Sequence, residues 1–145
     1  MDIDDLRDRA EKGSGVAQGA LGLAYLFGHE VPVDHAQAAR RLSLAAERGA
    51  ARPAVWLGTM YEHGLGLPVD MKRAWQLYEY GAERGEFDGC ILLARLLATG
   101  KGSQMDESAA ALWYRRALSL EVDAVAVAAE IKEATLYLAS HPPAP

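Results

Sequence analysis

The hydrophobic residues of this chain follow the spacing of buried α-helices. In three segments, a pair of adjacent apolar residues is followed four positions later by another such pair, which places all four on one helical face. We therefore predict helices at residues 17–27, 53–63 and 89–99. The sets that carry this pattern are Ala20, Leu21, Ala24 and Tyr25; Trp56, Leu57, Met60 and Tyr61; and Leu92, Leu93, Leu96 and Leu97.

These helices belong to an internal repeat of 36 residues. The sequence AERG at residues 46–49 recurs at residues 82–85, and the variant AEKG ends at Gly13. Repeats of this length are typical of stacked helix-pair architectures. The same offset relates Leu21, Leu57 and Leu93; Gly28, Gly64 and Gly100; Asp34, Asp70 and Asp106; and Ala38, Ala74 and Ala110.

The shared glycine and aspartate explain the stretch GTMYEHGLGLPVD, which otherwise looks like a functional loop. The glycine is predicted to end the first helix of each repeat in a left-handed conformation. The aspartate is predicted to cap a second helix, at residues 34–48, 70–84 and 106–120. Gly22 and Gly58 lie inside first helices, where glycine costs about 1 kcal/mol relative to alanine. That cost, with Ala94 in the third repeat, indicates close helix contact.

The two ends of the chain differ from the repeats, as the ends of a stacked array do. Residues 1–12 are predicted to form an N-terminal cap helix and residues 121–140 a C-terminal cap helix, with 141–145 as a tail. Between them lie repeats at 13–48, 49–84 and 85–120, in one domain. The apolar face of the C-terminal helix consists of Val127, Ile131, Ala134 and Leu138.

The repeats resemble the Sel-one-like repeat family, a relative of the tetratricopeptide repeat. The resemblance is carried by GALGLAYLFG, by VWLGTMYEHGLGLPVDMKRAWQLYEYGAERG and by ALWYRRAL, and it covers residues 13–120. It implies an all-α fold, a right-handed α–α superhelix or solenoid with capping helices. It also implies protein–protein interaction, as an adaptor or scaffold, without a general catalytic motif. A secreted branch linked with penicillin binding has paired cysteines, which this chain lacks.

The composition and charge of the chain limit the classes of partner that it is expected to bind. A net charge of −5 and a pI of about 5.3 argue against nucleic acid, which requires a positive field, and favour a basic or neutral protein. The lone Cys90 excludes a disulfide scaffold and is predicted to be an inert, partly buried thiol. The acidic start of the chain and the lack of an apolar run approaching ~18 residues lead us to expect a cytoplasmic protein that does not span a membrane.

The polar clusters do not match known chemical motifs. His29, Glu30, Asp34 and His35 lie close together, but their spacing differs from that of a zinc helix, and TGKGS is not a phosphate-binding loop. We predict no metal, no cofactor and no catalytic residues. An enzyme would instead require Glu62, His63, Asp88 and Arg95 to surround a deep cavity.

The resemblance also implies a concave face, lined by the first helices, as the surface available for binding. We predict that a partner peptide or loop binds there, with Leu23 and Phe27 as an apolar anchor site and Arg52 and Arg95 as partners for carboxylates. Coverage of Leu23 and Phe27 by the N-terminal cap helix is the alternative. The predicted partner-binding residues are Val16, Leu23, Leu26, Phe27, Arg52, Val55, Thr59, Glu62, His63, Asp88, Ile91, Arg95 and Thr99.

Two other interactions are compatible with the sequence. The chain could be a dedicated inhibitor, such as an immunity protein that blocks a bacterial toxin, since an acidic surface suits a basic toxin. The C-terminal helix could also mediate homodimerisation.

Overall fold

A computed structural model describes residues 2–144, which form eight α-helices and no strand. The helix-pair repeats are present as the sequence predicts. The helices are α1 (Ile3–Glu11), α2 (Gly15–Phe27), α3 (His35–Glu47), α4 (Ala51–His63), α5 (Met71–Glu83), α6 (Phe87–Thr99), α7 (Glu107–Leu118) and α8 (Ala128–Ser140).

The loop between the paired helices has the same hydrogen bonds in all three repeats. Each first helix ends at a glycine in the left-handed region, with φ of 72°, 67° and 71°. Each following aspartate accepts a bond from the backbone N–H three residues later, at 2.9–3.0 Å. The predicted roles are therefore confirmed: each glycine ends a first helix, and each aspartate precedes and caps a second helix. The residues involved are Gly28, Gly64 and Gly100, and Asp34, Asp70 and Asp106.

The first helices begin two residues earlier than predicted. In α2, the side chain of Ser14 accepts a bond from the N–H of Ala17 and so caps the extra turn. In α4, Pro53 falls in the first turn rather than at the first position, which is tolerated because backbone N–H groups there have no helical acceptor.

The C-terminal helix begins at Ala128, so its predicted start at residue 121 is wrong. The carboxylate of Asp123 accepts bonds from the N–H groups of Val125 and Ala126, at 3.0 and 3.3 Å. Such local bonds compete with helix formation. The predicted apolar face is nevertheless present, because Ala134 is fully buried and Val127, Ile131 and Leu138 are partly buried.

The chain divides into two compact units, with the boundary inside α5, between Leu77 and Tyr78. In the first unit, α2, α3 and α4 enclose an apolar cluster. A second cluster joins α1 to α2 and includes Ala10, Ala17 and Leu21. The residues of the larger cluster are Leu26, Ala38, Ala39, Leu42, Leu57 and Met60.

At Gly22, α2 packs tightly against Leu42 of α3. A Cβ atom at Gly22 would lie 2.8 Å from Cγ of Leu42 and 3.0 Å from its backbone nitrogen. The inference of close helix contact at this glycine is therefore confirmed.

In the second unit, α6 packs against α7, and α7 packs against α8. The buried side chains come from α6 and α7 for the most part, whereas α8 contributes only Ala134 to the buried set. Leu136 on α8 is 60% exposed, and homodimerisation through this helix remains a prediction.

Candidate functional site

An apolar groove opens in the first unit beside α2. It has a volume of about 580 Å³, and we call it the N-terminal groove. Polar side chains stand at its rim, while the rest of the lining is apolar. The lining residues are Ile3 and Leu6 of α1, Ala20, Leu23, Ala24 and Phe27 of α2, His29 and Glu30 of the following loop, and Arg52 of α4.

Helix α1 forms one wall of the N-terminal groove. Ile3 and Leu6 pack against the cluster of Ala10, Ala17 and Leu21, which fixes α1 against α2. Leu23 is partly buried, yet Phe27 remains 46% exposed. Coverage of Phe27 by the cap helix, the alternative considered from sequence, is therefore incomplete.

The ring of Phe27 is held in place by aromatic neighbours. It meets Trp56 edge to face, with centroids 5.1 Å apart and an interplanar angle of 87°, and lies 6.0 Å from the ring of His29. Edge-to-face pairs are favourable beyond the area they bury. The exposed part of Phe27 is thus a fixed apolar surface at the groove.

Two charged residues at the rim have no charged partner. Among residues 2–144, neither Glu30 nor Arg52 forms a salt bridge or a side-chain hydrogen bond. Glu30 is also the one non-glycine residue in that range with a positive φ, at 60°. No spacing rule in the sequence indicated that Glu30 lines this groove.

The other first-unit residues predicted to bind a partner do not line the N-terminal groove. Val16 is 80% exposed and does not line the groove. Thr59 is partly buried, and Glu62 lies 3.5 Å from His63 at the end of α4. Leu26 and Val55 are buried in the core, so their assignment to a partner-binding surface is wrong. Helix packing covers their side chains.

In the second unit, Arg95 already has a carboxylate partner. Its guanidinium donates to both oxygens of Glu133 on α8, from Nε at 2.8 Å and from an Nη atom at 2.6 Å. The hydroxyl of Tyr114 donates to the same carboxylate at 2.7 Å. An external carboxylate would therefore compete with one that the chain's own C-terminal helix supplies, and binding of a partner by Arg95 remains a prediction.

This cluster changes the acidity of its members. Hydrogen bonding to Arg95 lowers the pKa of Glu133 below its ordinary value, against the opposing effect of burial. Burial, followed by the bond to Glu133, raises the pKa of Tyr114. Glu133 has no repeat counterpart, and the sequence carried no signal for its pairing.

Of the remaining second-unit residues, Ile91 is buried and its predicted exposure is wrong. Asp88 is partly buried, and the hydroxyl of Thr99 donates to the carbonyl of Arg95 at 2.8 Å. Glu62 and His63 belong to the first unit, whereas Asp88 and Arg95 belong to the second. The described grooves within each unit are lined by other residues.

Cys90 occupies a structural position in the repeat. Its thiol lies 3.7 Å from the carbonyl of Ala82, and at the equivalent position Gln18 donates to the carbonyl of Ala10 at 2.8 Å. Burial raises the pKa of Cys90 to about 11. The thiol is therefore protonated at neutral pH, as expected for an inert cysteine.

Residues 2–144 contain no group of three or more His, Cys, Asp or Glu side chains arranged to hold a metal ion. Within the same range, every helix is too short or too polar to cross a membrane.

Comparison with known proteins identifies the repeats. The model of the Sel1 repeat matches residues 15–49, 54–86 and 88–121, which is more than half of the chain. No curated protein matches the sequence.

Solved structures show the same fold. A protective antigen of uropathogenic Escherichia coli with an SLR fold is 30% identical, with a TM-score of 0.75 over 81% of this chain and 25% of its own. A Sel1 repeat protein from Oxalobacter formigenes is 32% identical, with a TM-score of 0.68 over 75% of this chain and 44% of its own. This chain therefore spans less than half the length of either relative.

Helicobacter pylori cysteine rich protein B is 24% identical, with a TM-score of 0.66 over 82% of this chain and 90% of its own. That likeness shows the fold alone. Sel1 repeats generally serve as protein-interaction modules. Since the family model matches three consecutive segments, this chain belongs to the Sel1 repeat family.

Proposed function

We propose that this protein is an adaptor or scaffold that binds a peptide or loop of another protein in the N-terminal groove. The observation that carries the proposal is the half-exposed ring of Phe27, fixed by Trp56 beside an apolar groove of about 580 Å³. Aromatic side chains held in apolar surroundings are the usual centres of binding energy at protein interfaces.

The size of the groove favours a short partner segment. A volume in this range accommodates a few side chains, with most of the lining apolar and orientation set by a small number of polar groups. Recognition of a short segment buries a modest area, so we expect micromolar rather than nanomolar affinity.

The proposed site is smaller than the surface predicted from sequence. It retains Leu23, Phe27 and Arg52, to which Ile3, Leu6 and Glu30 are added. Val16, Thr59, Glu62 and His63 could extend a longer contact, and Asp88 and Thr99 are not required. Leu26, Val55 and Ile91 are buried and Arg95 is paired, so these four are left out.

The test is a comparison of three baits for capturing partners from cell lysate: the unaltered chain, Phe27→Ala and Val33→Ala. Val33 is a matched control because it belongs to the same unit, is apolar and 55% exposed, and does not line the groove. Captured proteins are then purified, and their affinity for each bait is measured by calorimetry.

We expect Phe27→Ala to weaken the binding of a genuine partner at least tenfold, which corresponds to about 1.4 kcal/mol, and Val33→Ala to leave it unchanged. Circular dichroism checks that both variants remain helical. A partner that binds Phe27→Ala as tightly as the unaltered chain would contradict the proposed site.

A further inference from the structure

We infer that the partner segment carries a basic side chain next to its apolar anchor, and that this basic group pairs with Glu30. The inference rests on the proposed function and specifies the chemistry of the partner.

The backbone at Glu30 favours glycine. Its φ of 60° matches those of the equivalent residues in the next two repeats, Gly66 at 69° and Gly102 at 78°. Side chains rarely adopt this region, because the Cβ atom crowds the backbone. The first repeat therefore has a carboxylate at a position where the other two repeats have the residue that the loop prefers.

Nothing in the fold accounts for this carboxylate. Glu30 is exposed, lines the groove beside Phe27 and forms no salt bridge or side-chain hydrogen bond within residues 2–144. Unfavourable backbone conformations are concentrated at functional sites, where the side chain is required for a contact outside the fold. A contact with a cationic group of a bound partner supplies that reason.

The surroundings of the groove also favour a basic partner. Ile3, which forms part of the α1 wall, is flanked by the exposed residues Asp2, Asp4 and Asp5. Asp4 and Asp5 pair with Arg7 and Arg9 of the same helix and Asp2 caps it, so the excess negative charge is that of the whole chain, −5. Opposite charges on a partner would speed its approach and fix its orientation.

Arg52 gives weaker support for the opposite case, in which the partner is acidic. It is an exposed residue in the first turn of α4, where its backbone is an ordinary helix, so no conformational cost indicates that its charge is needed. An acidic partner that pairs with Arg52 is the alternative that the experiment distinguishes.

The experiment uses three end-capped synthetic heptapeptides as probes of the full chain. The first has a central Phe flanked by Lys, the second the same Phe flanked by Glu, and the third has Ala in place of Phe between Lys residues. Binding is followed at low salt through the backbone amide resonances of the ¹⁵N-labelled protein. We expect the Lys–Phe–Lys peptide to shift the resonances of Leu6, Phe27 and Glu30 and to bind at least fivefold more tightly than either other peptide.

Two substitutions at Glu30 separate charge from backbone conformation. Glu30→Gln removes the charge and keeps a side chain at the same φ, whereas Glu30→Gly also removes the crowding. We expect both to weaken binding of the Lys–Phe–Lys peptide at least threefold. Glu30→Gly should at the same time raise the melting temperature by about 2 °C, which excludes misfolding as the cause of the loss.

The outcomes distinguish the inference from the proposed function. If the Lys- and Glu-flanked Phe peptides bind equally, or if Glu30→Gln binds as the unaltered chain does, the inference is wrong. If binding of the Phe-containing peptides is still lost with Phe27→Ala, the N-terminal groove remains the site. If no peptide shifts the resonance of Phe27, both proposals are overturned.

Discussion

At the scale of single residues, two glycines of α2 differ in what an added methyl group would contact. At Gly22 it would meet the backbone nitrogen and Cγ of Leu42, at 3.0 and 2.8 Å. At Gly15 it would meet the flexible side chain of Arg48, at 3.1 Å. A flexible side chain can move away, whereas the backbone of a packed helix cannot.

Gly22→Ala is therefore expected to destabilise the protein by about 1–3 kcal/mol, because overpacking outweighs the gain in helix propensity. Gly15→Ala, the matched control on the same helix, should leave stability within about 0.5 kcal/mol of the unaltered chain. Urea unfolding followed by circular dichroism measures both. Equal stabilities of the two variants would show that α2 and α3 separate at no cost.

Cys90 gives a second prediction at this scale. Burial favours the neutral thiol and raises its pKa to about 11, so very little thiolate exists at pH 8. We expect iodoacetamide to leave the folded protein unmodified over an hour at pH 8 and to alkylate it fully in guanidinium chloride, as read by mass spectrometry. Rapid modification of the folded chain would contradict the buried position.

At the scale of elements, each second helix begins at an aspartate whose carboxylate accepts a backbone N–H. Asp34→Ala removes this acceptor from α3, and we expect a loss of about 1 kcal/mol in the free energy of unfolding. Asp34→Asn keeps an acceptor oxygen and should retain most of the stability. Thermal unfolding of the three proteins at one pH provides the measurement. Equal melting temperatures for the Ala and Asn variants would mean that the cap contributes little.

Helix α8 has Ala134 as its one buried residue within the described part of the chain, so polar contacts contribute to its attachment. The carboxylate of Glu133 receives three hydrogen bonds, from Arg95 and Tyr114. Since this ion pair is partly exposed, solvent screening limits its contribution to about 1 kcal/mol.

Glu133→Gln should therefore lower the hydrogen-exchange protection of α8 amides by roughly three- to tenfold at pH 7, with α6 unaffected. Lys132→Gln, at an exposed position of the same helix, is the control. In the unaltered chain the pKa of Glu133 is lowered, so its stabilising contribution is full above the ordinary carboxyl pKa. That contribution is lost as the pH falls through the lowered value, and α8 protection should fall with it. Constant protection across this acidic range would contradict the role of Glu133.

At the scale of the whole molecule, the net charge of −5 affects how a partner approaches. If the partner is basic, raising the salt concentration from 50 to 300 mM should weaken binding several-fold, mainly through slower association. Surface plasmon resonance at several salt concentrations provides the rates. Glu30→Gln should reduce this dependence, and affinity that is independent of salt would contradict a charge-assisted encounter.

The offset of 36 residues was sufficient to predict the helix pairs, the glycine ends and the aspartate caps. It could not predict the start of α8 at Ala128, where bonds to Asp123 replace a helical turn outside the repeat. The concave face implied by the family resemblance was wrong for Leu26, Val55 and Ile91, which are buried. An analogy between repeat families transfers the position of a residue along its helix, but the local rotation and packing of that helix decide exposure.

The sequence by itself determined the family, the helix-pair architecture and the structural roles of the shared glycines and aspartates. These features depend on local backbone preferences and on periodicity, and both are set by residues that are close together in the sequence. Only the tertiary structure decided that Arg95 is paired with Glu133 and that Phe27 stays half exposed beside α1. Such contacts join residues far apart in the chain, and their geometry follows from how the helices pack.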